Sequence, residues 1–215
     1  MKKAFTLSEV LITLAIIGVV SVLTLPNIYK KVNSKIMVET LKNTYSQLVD
    51  AVKNKMSDEG VYAWSDLLPD VESEIPNEMQ TFMTDYLNVV KVCDSIYDCF
   101  SHNYTNLRGE SYDLYNIYRS GDLCAFVKLE NNAVVAMIPP LPSDDFGDFL
   151  VDVNGKAAPN ILGIDLFFIL FDDDGTVGRL SALYPNAPTL ELCAASDTNM
   201  CFTHVVHNNW EPLKY

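Results

Sequence analysis

The chain has 215 residues and a net charge of −13, from 15 Lys and Arg against 28 Asp and Glu. Such an acidic surface repels phosphate backbones and anionic lipid, which argues against nucleic-acid binding through it. The charge is divided: residues 1–56 hold 8 basic and 3 acidic side chains, and residues 57–215 hold 7 and 25, so a basic segment precedes one acidic domain large enough to bury a single core.

Taken in chain order, Met1-Lys2-Lys3-Ala4 precedes an apolar run from Phe5 to Leu25 whose sole charge is Glu9. About 20 apolar residues cover the hydrocarbon core of a bilayer as a helix, so the run is long enough to span one. It is too long and too early for a secretory signal, in which an apolar core of roughly 7–15 residues is followed by a small-residue cut site. Here the small residue beside basic charge, Ala4, precedes the run, and a cut there leaves the anchor on the mature chain. A carboxylate near the middle of a membrane helix costs about 2.5–3.5 kcal/mol; Glu9 therefore needs either a partner or hydration at the cytoplasmic face. Pro26 lacks an amide donor and is expected to kink the helix, a feature membrane helices tolerate.

Beyond Pro26, Leu41, Tyr45, Leu48, Val52 and Met56 form a helical apolar stripe, with Lys30, Lys31, Lys35, Lys42, Lys53 and Lys55 mostly off it. A helix from Phe5 to about Ser57 would be roughly 80 Å long, its first half in lipid or a filament core and its second half packed on a head. Lys2 and Lys3 favour a cytoplasmic N-terminus, but Lys30, Lys31 and Lys35 on the other side blunt that argument.

The head reads as mixed helix and strand. Asn77 with Gln80 resembles a helix cap, followed by Met79, Phe82, Met83, Tyr86, Leu87 and Val90 at the helical period. From Leu123 to Ile138 two runs flank Asn131-Asn132, a pair suited to a tight hairpin turn. Pro139, Pro140 and Pro142 mark a loop, and a second hairpin is expected over 164–180, turning at Asp172-Asp173-Asp174-Gly175. Tyr112, Tyr115, Tyr118 and Trp210 could line a ligand surface, though in a head of this size such aromatics are more often core.

All five cysteines, 93, 99, 124, 193 and 201, lie in the head. The close pairs Cys93 with Cys99 and Cys193 with Cys201 would each staple a loop, leaving Cys124 as a buried thiol; five cysteines also allow other pairings. No C-x-x-C motif is present. His204-Val205-Val206-His207 lacks a nearby Glu or Cys to complete a metal site and reads as a surface strand and loop, and His102 stands alone. With no glycine-rich phosphate loop and no G-x-S-x-G, an enzyme is not expected. Asp152, Asn154 and the Asp172–Asp174 cluster offer the oxygen ligands calcium prefers, but not at EF-hand spacing.

The basic leader Met1–Ala4, the sequence Phe5-Thr6-Leu7-Ser8-Glu9, the apolar helix and Pro26, 21 residues after Phe5, together resemble the prepilin leader of type IV pilins and type II secretion pseudopilins. The resemblance implies an α+β fold, a long N-terminal hydrophobic helix packed on a small antiparallel-sheet head. Its parts would be a leader (1–4), a helix (5–57, with 5–25 in membrane or filament core and 26–57 amphipathic) and a globular head (58–215). It further implies cutting between Ala4 and Phe5 by prepilin peptidase and methylation of the new amino group of Phe5. The residue before the cut is usually Gly in the family and is Ala4 here. Glu9 would pair with the Phe5 ammonium of its own or the next subunit and set register during assembly.

The implied partners are other pilin or pseudopilin subunits, the peptidase, an inner-membrane assembly platform and the membrane, with no cofactor and no nucleic acid. The implied location is the bacterial inner membrane, single-pass with a periplasmic head, and then a periplasmic or extracellular filament. Asp152-Val153-Asn154-Gly155-Lys156 with Pro159-Asn160, Gly163 and Asp165 resembles, more loosely, a segment of pilin-like heads. Cys193 and Cys201 resemble the C-terminal disulfide loop of many pilins. Calcium at Asp152, Asn154, Asp172 and Asp174 is implied only as some pseudopilin heads bind it. Pilus and secretion pseudopilus stay open, as does a second class, a signal-anchored periplasmic ligand-binding protein.

Overall fold

The computed structural model describes residues 6–63, 65–67, 74–114, 124–138, 146–172, 175, 188–195 and 200–213. The chain divides into two units, Met1–Ile36 and Met37–Tyr215. Helix α1, Leu7–Glu59, is 53 residues long and runs through Pro26. Gly60, at φ +69°, ends it: Gly60 N donates to Ser57 O and Val61 N to Met56 O, the Schellman arrangement that satisfies the last carbonyls and favours glycine at the left-handed position.

In the first unit the apolar residues of α1 face outward all round. Leu7, Leu11, Leu14, Ile17, Val20 and Leu23 are each more than half exposed. This is the one helix among the described residues long and apolar enough to cross a membrane.

The second unit is a three-layer head. A 3-10 turn (Ser65–Leu67) and α2 (Ile75–Tyr86) lead into β1 (Val89–Cys93) and the single-turn α3 (Ile96–Cys99). The two-stranded ribbon β2 (Tyr104–Thr105) and β3 (Ser111–Tyr112) follows, then β4 (Ala125–Leu129), β5 (Val134–Ile138), β6 (Phe146–Asp152) and β7 (Leu166–Asp172), and last α4 (Leu190–Ala195) and α5 (Met200–His207). The main sheet is antiparallel throughout, in the order β1-β4-β5-β6-β7.

Strand side chains alternate between two faces, and both faces are buried. Val127, Val135, Phe149, Val151, Ile169 and Phe171 pack with Leu41, Leu48, Val52, Met79, Phe82 and Met83 of α1 and α2. Phe126, Val134, Ala136, Leu150 and Phe168 face the other way, onto Phe100, Tyr104, Tyr112 and Leu114. Each such Val, Leu, Ile, Met or Phe side chain contributes about 1.5–3 kcal/mol by leaving water. The stripe read from sequence on α1 is this contact, with Leu41, Leu48 and Val52 fully buried. Tyr112 is buried in the core on one face of the sheet and Trp210 packs against the core on the other, beside Tyr45 and Phe202, while Tyr115 and Tyr118 lie outside the described residues.

The first hairpin forms about Asn131-Asn132, with Lys128 paired to Val134 and Ala125 to Met137. Asn132 takes φ +70°, and Asn131 Nδ2 donates to Asn43 Oδ1 and Thr44 Oγ1, both at 3.0 Å, fastening the turn to α1. Cys124–Leu129 does not alternate between core and solvent, because the second layer covers the outer face of β4.

Three expectations are corrected. Helix α2 starts at Ile75, ahead of Asn77, with Glu74 preceding it and Pro76 in its first turn; proline fits there because its missing N–H would have had no helical acceptor. Val90 belongs to β1, not to that helix, and stands 60% exposed at a bulge between Val89 and Lys91. His204 and His207 lie on α5 rather than on a strand and loop. The expected hairpin over 164–180 has its first arm in β7, whose partner among the described residues is β6; Gly175 N donates to Asp172 O at 2.8 Å, and the expected second arm lies outside the described residues.

Candidate functional site

The N-terminal site begins at Thr6, since Ala4 and Phe5 lie outside the described residues. Thr6 is the residue before helix α1, and Glu9 is the third residue of that helix. Thr6 N donates to Glu9 Oε2 at 2.8 Å and Thr6 Oγ1 donates to the same oxygen at 2.7 Å. In return Glu9 N donates to Thr6 Oγ1 at 3.3 Å. Because the Thr6 hydroxyl proton is given to Glu9, the Ser8 hydroxyl is the donor in its 3.1 Å contact with Thr6 Oγ1. This is a capping box, in which cap residue and third residue satisfy each other's exposed amides. It also puts the carboxylate at the positive end of the helix dipole, where a negative charge is stabilised.

Downstream, hydroxyls are tied back to the helix: Thr13 Oγ1 donates to Val10 O and Thr24 Oγ1 to Val20 O, both at 2.9 Å. Polar atoms of the apolar segment thus have acceptors within it, which is what a helix in hydrocarbon requires. Lys30, Lys31 and Lys35 follow directly and are exposed.

In the head, the segment from Asp152 to Asp165 is a folded clasp. Asp152 is fully buried; its carboxylate accepts the Tyr104 hydroxyl on one oxygen and Asn154 N, at 3.0 Å, on the other. Asp165 is equally buried and accepts Asn160 N and Ile161 N, each at 2.6 Å. Burial and the neighbouring Asp165 charge push Asp152 up to about 8, and burial pushes Asp165 up to about 6. Burial and the adjoining Asp152 raise Tyr104, which keeps its hydroxyl a donor.

Cys193 and Cys201 are joined, as are Cys93 and Cys99. Gly163, at φ +89°, lies on the first of these bridges: a Cβ there would stand 2.7 Å from Cys201 Sγ and 3.3 Å from Cys193 Sγ. Cys124 is buried, and that burial pushes its thiol up to about 12, far from the thiolate a nucleophile needs.

Asp152 and Asp172, two of the calcium candidates, are not brought together. Asp152 pairs with Leu166 at one end of the β6–β7 ladder and Asp172 pairs with Phe146 at the other, six residues and about 20 Å away along a strand. Asn154 lies beside Asp152 and donates through Nδ2 to Ala158 O at 3.1 Å; Asp174 lies outside the described residues. His204 meets the Pro188 carbonyl through Nδ1 and Asn208 through Nε2, so both ring nitrogens are engaged, and His207 is exposed. Tyr104 and the capping role of Thr6 were not singled out from sequence. The T-x-x-E spacing could have revealed Thr6; Tyr104, 48 residues from Asp152, has no local signal.

Residues 1–25 match the family described as the prokaryotic N-terminal methylation motif. Comparison of the chain with curated proteins and with solved structures finds no match. The motif points to a structural subunit rather than an enzyme, and it implies processing by prepilin peptidase and assembly with other pilin subunits. With the long apolar helix it opens and the antiparallel α+β head, it supports a place for this chain in the type IV pilin and pseudopilin family.

Proposed function

We propose that the chain is a subunit of a type IV pilus or type II secretion filament, cut between Ala4 and Phe5 and methylated on Phe5. The observation that carries this reading is the methylation motif at residues 1–25 continuing without interruption into a helix apolar on every side. Before assembly the helix holds the chain in the inner membrane with the head in the periplasm. After cutting, an assembly platform moves the subunit into a filament, where the same apolar surface meets helices of other subunits in place of lipid. Glu9 then pairs with a Phe5 ammonium and sets register. Disulfides in the head suit an oxidising compartment. No step in this reading needs a cofactor or nucleic acid, and calcium binding by the head stays a minor proposal, checked by titrating Ca²⁺ calorimetrically.

The test is expression beside a complete type IV assembly machinery, followed by shearing and pelleting of filaments. Wild type in the pellet, with Glu9→Val cut but retained in the membrane fraction, is the expected result. A chain that remains uncut in the membrane beside a working peptidase would instead fit a signal-anchored periplasmic ligand-binding protein.

A further inference from the structure

We infer that residues 28–36 of α1 form a membrane-surface collar in which Lys30, Lys31 and Lys35 hold the phosphates of anionic phospholipids. The inference rests on the anchoring step of the proposed function, and goes beyond it in naming the lipid chemistry recognised at the C-terminal end of the anchor. At about 3.6 residues per turn, Ile28, Tyr29, Val32 and Ile36 fall on one side of the helix, and Lys30, Lys31, Ser34 and Lys35 on the other. The four apolar side chains are each more than half exposed, and the three lysines are exposed. Among the described residues, burial of apolar side chains on α1 begins at Met37. Ser34 Oγ donates to Lys30 O at 2.9 Å, so the hydroxyl is satisfied within the helix and the lysines are the charge this face offers. The ion pairs among the described residues use Lys55 and Lys91, and none involves Lys30, Lys31 or Lys35. Turns with lysine on one face and aliphatic or aromatic residues on the other suit the boundary between headgroups and acyl chains.

Position along the helix selects the ligand. Residues 7–25 rise about 28 Å, close to the ~30 Å of a hydrocarbon core. Lys30 and Lys31 stand five and six residues past Leu25, about 8–9 Å farther, level with the phosphates. Tyr29 lies at the same level, where aromatic rings with a polar tip are favoured. Lys35 stands farther out. Pro26 leaves the helix one hydrogen bond short, which lets the segment tilt and bring Lys35 to the surface. No acidic side chain lies between Glu9 and Glu39, and a parallel copy at the same depth would present the same lysines, so the bilayer supplies the counter-charge. Residues 57–215, with 7 basic and 25 acidic side chains, are repelled by that same surface, which leaves the collar as the contact with anionic lipid on this side of the span.

The test is a lysine footprint of full-length chain reconstituted into two kinds of vesicle, phosphatidylcholine alone and three parts phosphatidylcholine to one part phosphatidylglycerol. Brief acetylation with uncharged acetic anhydride is followed by peptide mass mapping, with the exposed Lys42 and Lys53 of the same helix as internal references. Lys30, Lys31 and Lys35 are expected to react roughly fivefold more slowly in the phosphatidylglycerol vesicles, the effect of a lysine held at an anionic surface, and to regain their rate at high salt. Lys42 and Lys53 should react alike in both. Protection of Lys35 should persist when Lys30→Arg and Lys31→Arg are combined, and weaken when Lys30→Gln and Lys31→Gln are combined, because neighbouring charges hold the same lipids. Equal rates in the two vesicles overturn the proposal and leave the filament reading standing; if those rates are uniformly slow, the face belongs to another helix instead. A chain that alkaline carbonate strips from both vesicles overturns the anchor and the proposal together.

Discussion

Leu14 and Leu48 are the same residue on the same helix, one 60% exposed and the other fully buried. The contrast holds for the units around them. Up to Ile36 the apolar side chains of α1 are largely exposed and pack on no core among the described residues, so their burial there calls for a surrounding bilayer or other helices. From Met37 onward the same helix closes one side of a sheet that is covered on both faces. Polar groups follow the same division: Thr6 and Glu9 satisfy each other within a single turn, whereas Asp152 is satisfied by Tyr104, 48 residues away. Substitutions in the first unit should therefore alter anchoring and assembly, and substitutions in the second should alter folding.

The largest expected effect comes from cutting into the shared core. Phe149→Ala removes a fully buried ring that meets Phe82 and Phe171, and should cost about 3–5 kcal/mol in urea unfolding of the head. Leu14→Ala in the first unit should leave that transition within about 0.5 kcal/mol of wild type; a large loss there would break the comparison. Next comes Gly163→Ala, which forces a side chain onto the Cys193–Cys201 bridge at a left-handed backbone position. It should lower stability by about 1–3 kcal/mol in the same assay, and removing both cysteines should cost about 2–5 kcal/mol.

A pH series sharpens the comparison further. Asp152 and Asp165 are raised in the folded head, to about 8 and about 6, from about 3.9 when unfolded. Between these limits the folded head binds more protons than the unfolded chain, so these two groups' contribution to stability is full below about pH 4 and falls as pH rises through 6 and 8. Urea midpoints at pH 5 and pH 8 should show the decline, and Asp152→Asn should flatten its upper part. The smallest effect belongs to the surface: Lys91 and Asp98 pair at 2.7 Å with both side chains partly exposed. Lys91→Ala should change stability by less than about 1 kcal/mol, measured by thermal melting.

The apolar stripe of α1 and the β4–β5 hairpin were legible because each is written locally, in helical spacing and in an Asn-Asn turn. The hairpin expected at 164–180 shows the limit of such reading. A turn signal at Asp172–Gly175 is local, but the partner of β7 among the described residues is β6, which reaches it through the Asp152–Asp165 clasp. The start of α2 was misplaced because Asn77 with Gln80 imitates a cap, while Pro76 had already opened the helix. In the N-terminal site, charge and length were plain, yet the partner of Glu9 was sought at Phe5 alone. Thr6, one residue nearer, holds that carboxylate in the structure.

The most direct test of the account is the mass of the N-terminal peptide after the chain is expressed with a prepilin peptidase. A peptide that begins with N-methylated Phe5 is the predicted result and puts this chain on the filament pathway. An intact Met1, or a cut at any other bond, would contradict it.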